Sequence, residues 1–170
     1  MFPPSRSADA DDRLLAARGL RVDASAGEFA GRDRAAGEYP VPVLAAAILT
    51  AEDVSFLLVG SAALWLHGEP ITVGDTDAVI EPGEQNARRL SEAMAGMALR
   101  PGEVPPARDF PLLDLISVAT SYGRVDCLLE RGRLDWERLR QSSVTIPVAD
   151  AGVLVAARAD TWALRRQFKG

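Results

Sequence analysis

Apolar and polar positions follow two rhythms along this chain, and the change of rhythm marks its elements. Phe56-Leu57-Leu58-Val59 is a short unbroken apolar run. Bounded by turn residues, such a run predicts a buried strand. It ends at Gly60-Ser61; Ala62 to His67 then has helix-forming composition and stops at Gly68, a C-terminal signal. Thr76 to Glu81 predicts a second strand, closed by Pro82-Gly83. From Glu84 to Leu99 the period becomes helical: Ala87, Leu90, Met94 and Met97 share one face, with Arg88, Arg89 and Glu92 elsewhere. Leu112 to Ala119 and Arg124 to Glu130 predict a hairpin around Ser121-Tyr122-Gly123. Val41 to Thr50 predicts a helix entered by proline, and Trp136 to Arg140 a short one. Val144 to Val148 predicts a fifth strand and Ala149 to Phe168 a closing helix. Hairpins mixed with crossovers imply an α+β (α/β) fold: a mixed sheet of about five strands packed against helices.

The first forty residues differ in texture. Ser, Asp, Ala, Gly and Arg dominate, and long apolar runs are absent. Asp12 to Leu20 predicts a short helix with Leu14 and Leu15 as its apolar side. Residues 1–40 are expected to form a loose arm or peripheral layer, and residues 41–170 the folded domain.

Composition narrows the function classes. The chain has 170 residues and a formal net charge of -5, which argues against avid, non-specific nucleic-acid binding through phosphate neutralisation. Lys169 is the sole lysine, so a mechanism built on a central catalytic lysine is not expected. Cys127 is the sole cysteine, which excludes an intrachain disulfide and a cysteine zinc site. No stretch approaches the roughly 20 apolar residues of a membrane span, and the N-terminus lacks an apolar signal core. A cytosolic protein is the expectation.

The candidate chemistry is acidic. Asp75 and Asp77 lie two apart at a strand start, so both carboxylates point to one face, with Thr76, Ala78 and Ile80 on the other. Asp126 shares its face with Arg124 and Leu128, while Val125, Cys127 and Leu129 fill the opposite one. If the two strands are neighbours, three carboxylates converge. They stay ionised together only beside a compensating charge. Magnesium suits them: it takes hard oxygen ligands, one or two carboxylates, water and substrate phosphates. A third carboxylate would serve a second metal or act as a general base. The plain alternative is two acids at a strand edge facing water; Asp9-Ala10-Asp11 matches the same pattern. Gly60-Ser61, after a buried strand and opening a helix, offers unpaired backbone N–H groups to an anion, or is an ordinary serine cap.

Together, Leu58-Val59-Gly60-Ser61, thirteen residues, Asp75-Thr76-Asp77-Ala78 and later Val125-Asp126-Cys127 resemble the minimal nucleotidyltransferase family of the polymerase-beta-like superfamily. The resemblance covers roughly residues 42 to 165 and extends to Leu66-His67-Gly68, to Asn86 to Leu90 and to Tyr122-Gly123-Arg124-Val125-Asp126. It implies that Gly60 and Ser61 contact nucleotide phosphates, that Asp75 and Asp77 hold magnesium, and that Asp126 is the base or third ligand. It implies transfer of a nucleotide monophosphate from NTP, ATP among them, to an acceptor hydroxyl on a small molecule, an RNA end or a protein. Relatives include antibiotic-modifying enzymes and nucleotidyltransferase halves of toxin–antitoxin pairs, so a non-catalytic, partner-binding module is the alternative. Where many relatives carry Arg and Thr before the aspartate pair, this chain has Ile71 and Val73. Arg158 stands where a lysine often lies in the closing helix. Arg124 is expected to pair with a carboxylate or a phosphate.

Other residues have plainer expectations. His67 is expected to bond backbone at its helix end. Trp65, Trp136 and Trp162 are expected in the core, and Cys127 as an inert buried thiol. Arg158, Arg165, Arg166 and Lys169 make a basic helix, read as a solvated face or an acceptor-binding patch.

Overall fold

The computed structural model describes residues 38–129 and 134–169. The arm expected up to residue 37, with its helix at 12–20, lies outside the described residues. In chain order the elements are α1 (Val41–Ala51), β1 (Phe56–Val59), α2 (Gly60–Leu66), β2 (Thr76–Ile80), α3 (Glu84–Met97), β3 (Leu115–Thr120), β4 (Gly123–Leu129), α4 (Trp136–Ser142), β5 (Val144–Val148), β6 (Ala151–Val155) and α5 (Arg158–Lys169). Short 3-10 turns occupy Pro101–Glu103 and Ala107–Leu112.

The strands form one mixed sheet in the order β3-β4-β2-β1-β6-β5. β1 runs antiparallel to β2 and parallel to β6, and β2 runs parallel to β4. All four side chains of β1 are buried, as an unbroken apolar run requires when both sheet faces are covered. One face packs Leu58, Ala78, Ile80, Val125 and Cys127 under residues of α1 and α3. The other packs Leu57, Val59 and Val79 against Trp136, Leu139 and Leu164. The amphipathic face read from sequence is buried in α3: Ala87, Leu90, Met94 and Met97. Among the described residues no helix is long and apolar enough to cross a membrane.

The sheet has a sixth strand where the sequence suggested about five, and the expected closing helix from Ala149 is divided. Ala151–Val155 pairs antiparallel with β5, and Val155 partners Leu58 of β1; the helix starts only at Arg158. The alanines suggested helix, but Val153 and Val155 are fully buried, and β-branched residues pack well on a pleated surface. The reversal before them is tight, with Ala149 at φ 52°. At β3 the strand begins at Leu115 rather than Leu112, because Pro111 lies in the preceding 3-10 turn.

Two polar clamps hold the layers. Thr76 Oγ1 donates to Pro42 O at 2.7 Å, tying the start of β2 to α1. Asn86 is buried and makes three bonds: Nδ2 donates to Ser55 O at 2.8 Å and Glu81 O at 2.9 Å, and Oδ1 accepts from Ser55 N at 2.8 Å. Asn86→Ala removes all three and leaves backbone groups without those partners. The expected cost is about 2–4 kcal/mol of stability, read as a lower urea midpoint at unchanged slope. A loss under about 1 kcal/mol would show the clamp to be dispensable.

Across the other layer, Arg138 Nη1 meets Asp160 Oδ1 at 3.0 Å and Ser142 Oγ donates to Asp160 Oδ2 at 2.7 Å, tying α4 to α5. Burial pushes the Asp160 carboxyl upward, but Ser142, then the Arg138 hydrogen bond and charge, outweigh it and hold the group below the usual range.

Candidate active site

Strand register assembles the site. Val59 partners Asp77 across β1–β2, Asp77 partners Asp126 across β2–β4, and Asp126 partners Ser117 across β4–β3. A single row therefore crosses four strands, with Asp77 and Asp126 adjacent at its centre. Thr76, Ala78, Val125 and Cys127 point into the core, as strand alternation predicts. Asp75 lies just before β2.

Gly60 follows Val59 and turns the chain into α2 at φ +69°. A Cβ on Gly60 would fall well inside contact distance of Asp77 Oδ2 and 3.0 Å from both Asp77 Cβ and Cγ. Glycine is needed here twice over: for the positive φ, and because the Asp77 carboxylate occupies the space a side chain would fill.

A cavity of about 580 Å³ opens at this row, lined among others by Gly60, Ser61, Asp75, Asp77, Arg124 and Asp126. Arg124 stands among the acids. Its Nη2 lies 3.2 Å from Asp75 Oδ2 and 3.4 Å from Asp126 Oδ2. Ser117 Oγ donates to Asp126 Oδ1 at 2.5 Å. Beneath the row, burial pushes the Cys127 thiol up to about 12, and the charges of Asp126 and Asp77 add to it. Cys127 is thus a neutral thiol in the core.

The aspartates share this cavity, yet among the described residues no group of three or more His, Cys, Asp or Glu is arranged to hold a metal ion. Arg124 places one positive charge between Asp75 and Asp126. Two hard carboxylates in adjacent register, Asp77 and Asp126, still fit magnesium chemically, because magnesium completes its shell with water and phosphate oxygens.

The second wall comes from α5, which packs against α2. His67 Nε2 donates to Ala156 O at 2.8 Å, the backbone bond expected of it. Arg158 pairs with Glu69, beyond the C-terminus of α2, and is not part of the cavity lining. Leu164, Arg165 and Phe168 line the cavity instead. The α5 cation in the cavity lining is therefore Arg165, two helical turns after Arg158. Its signal was helical spacing: Thr161 and Leu164 are buried, and Arg165 and Phe168 continue that side of the helix. Thr72 also lines the cavity and was not singled out from sequence. Its neighbour Val73 is buried in the core and Ile71 packs against it. Trp65 and Trp136 are buried and Trp162 is half-buried.

A larger hollow of about 780 Å³ lies at the far end of β2, beside Ile80, Phe110 and Leu129. It gathers less chemistry: Glu84 and Arg88 there are exposed and paired with each other. The smaller cavity is the better candidate because strand register brings paired acids into it.

No protein-family model matches the chain, and no curated protein matches it. Among solved structures it is similar to a "putative nucleotidyltransferase" from Thermotoga maritima, at TM-score 0.51 and 13% identity, over 74% of this chain and 81% of that one. At that identity the likeness is one of architecture: this chain has a fold resembling that nucleotidyltransferase structure, with a mixed sheet of six strands flanked by helices.

Proposed function

We propose that the protein is a magnesium-dependent nucleotidyltransferase that moves a nucleotide monophosphate from NTP to an acceptor hydroxyl and releases pyrophosphate. The observation that carries this reading is Asp77. It lies against the bare Cα of Gly60 and in register beside Asp126, so a glycine turn and paired acids face one cavity.

In this reading Gly60 and Ser61 contact the phosphates, and Arg165 neutralises their charge. Asp77, with Asp75 beside it, would hold magnesium, which leaves Asp126 to act as the base. When bound, magnesium supplies charge stabilisation to the attacking and leaving oxygens of an in-line displacement. Arg124 exchanges its carboxylates for phosphate as the nucleotide enters, which uncovers Asp126 Oδ2. Ser117 keeps Oδ1 occupied, so Oδ2 takes the acceptor's proton. The acceptor oxygen then bonds to the α-phosphorus as the bond to pyrophosphate breaks. The test is transfer of α-labelled nucleotide by the full chain with magnesium and all four NTPs. If the wild type labels no acceptor and binds no nucleotide, the reading fails.

One observation favours a second reading, a non-catalytic module that acts by binding a partner, as in a toxin–antitoxin pair. Arg124 already neutralises Asp75 and Asp126, and Ile71 and Val73 leave no cation before the acids. In that case Asp75→Asn and Asp77→Asn leave partner affinity within about twofold of wild type in a co-purification and titration experiment. Loss of nucleotide transfer in the same variants supports the enzyme instead.

A further inference from the structure

The cavity at the aspartate row is lined by side chains of two chemical kinds. Glycine, serine, acids and arginines make one. Leu115, Leu128, Leu164 and Phe168 make the other. The apolar lining is not simply the rim of the core. Leu164 and Leu128 belong to the apolar cluster beneath it, but Leu115 is 48% exposed and Phe168 45%. Among the described residues, five large hydrophobic side chains are this exposed, and two of them face one cavity from different elements, β3 and α5.

Strand register explains the layout. On β4, Arg124, Asp126 and Leu128 follow one another along one face, and Leu128 partners Leu115 as Asp126 partners Ser117. The sheet floor thus passes from charged to apolar within one step along the strand. On α5 the same change occurs between Arg165 and Phe168, one turn apart. On each wall, polar and apolar lining residues therefore follow one another within a single step or turn. A ligand filling it carries an anionic end joined to a flat or apolar end.

We infer that Phe168, with Leu115, Leu128 and Leu164, holds the base of the nucleotide by stacking and apolar contact, without reading its hydrogen-bonding edge. This rests on the nucleotide reading above and adds to it a base subsite and a specificity. Stacking on an aromatic ring tolerates any base, because every base has a π-face. None of these four side chains offers a hydrogen-bonding group, so discrimination among bases follows stacking area alone, purines above pyrimidines.

The experiment compares ATP, GTP, CTP and UTP with inorganic tripolyphosphate, each with magnesium, by calorimetric titration of the full chain. ATP is expected to bind the wild type at least about tenfold more tightly than tripolyphosphate. Phe168→Ala is expected to weaken ATP about tenfold and to leave tripolyphosphate unchanged; Phe168→Trp restores ATP affinity. The four NTPs fall within about tenfold of one another. Circular dichroism checks that the variants fold, which exposure of Phe168 favours. The inference is overturned if Phe168→Ala leaves ATP affinity intact, if it weakens ATP and tripolyphosphate equally, or if one NTP is preferred more than about a hundredfold. Unchanged ATP binding with a raised acceptor KM reassigns the apolar lining to the acceptor and also overturns it. Failure of both ATP and tripolyphosphate to bind removes the nucleotide reading itself, and the base subsite with it.

Discussion

Gly60→Ala is expected to abolish nucleotide binding and to destabilise the fold more than the same change at Gly68. Both glycines have positive φ, +69° and +89°, but only Gly60 has a neighbour in the way. At Gly68 an added Cβ meets nothing within 4 Å. Gly68→Ala should therefore cost only the backbone term, about 1 kcal/mol. At Gly60 the methyl must displace the Asp77 carboxylate or shift the β1–α2 turn, and overpacking adds about 1–3 kcal/mol. The displacement also undoes the pairing of glycine turn and acid on which the site depends. Chemical denaturation of both variants, with nucleotide titration of each, decides it. If Gly60→Ala is no worse than Gly68→Ala, the close approach of Asp77 to Gly60 has no energetic weight. Combining Gly60→Ala with Asp77→Ala should recover part of the stability, because the colliding carboxylate is gone.

The second large effect is chemical. Asp77→Asn keeps the shape of the side chain and removes its charge. Transfer of nucleotide is expected to fall by about a thousandfold or more, the scale of losing a group that stabilises transition-state charge. Folding stability should hold or rise slightly, since Asp77 and Asp126 are adjacent like charges. A variant as stable as the wild type and devoid of transfer places Asp77 in the chemistry. A variant that transfers within about tenfold of wild type removes it from the site. The paired measurement matters because a loss of activity with a loss of fold would say nothing about charge.

Much of this arrangement was legible in the residues before any coordinates. β1 ended at a glycine because the apolar run ended there, and strand alternation put Asp77 opposite Ala78 and Asp126 opposite Cys127. These are local signals with periods of two or a few residues. What escaped was set by contacts distant in sequence. β6 is a strand although its alanines suggest helix, because β1 and β5 flank it and Val153 and Val155 are buried there. Arg158 was given the place of the phosphate cation, but Glu69, remote in sequence, holds it. Thr72 carried no motif, and Arg165 carried only the helical spacing that puts it on the side of Thr161 and Leu164. Alternation along β4 placed Arg124 on one face with Asp126, but register alone could not say that its guanidinium would bridge Asp75 and Asp126.

The way α5 is attached has an evolutionary consequence. Asp77 and Asp126 are held by strand register, where one substitution disturbs several partners. Arg165 and Phe168 stand on a helix fixed elsewhere, by Ala156 O on His67 and Arg158 on Glu69. Mutations at positions 165 and 168 can therefore drift without loosening the carboxylate row.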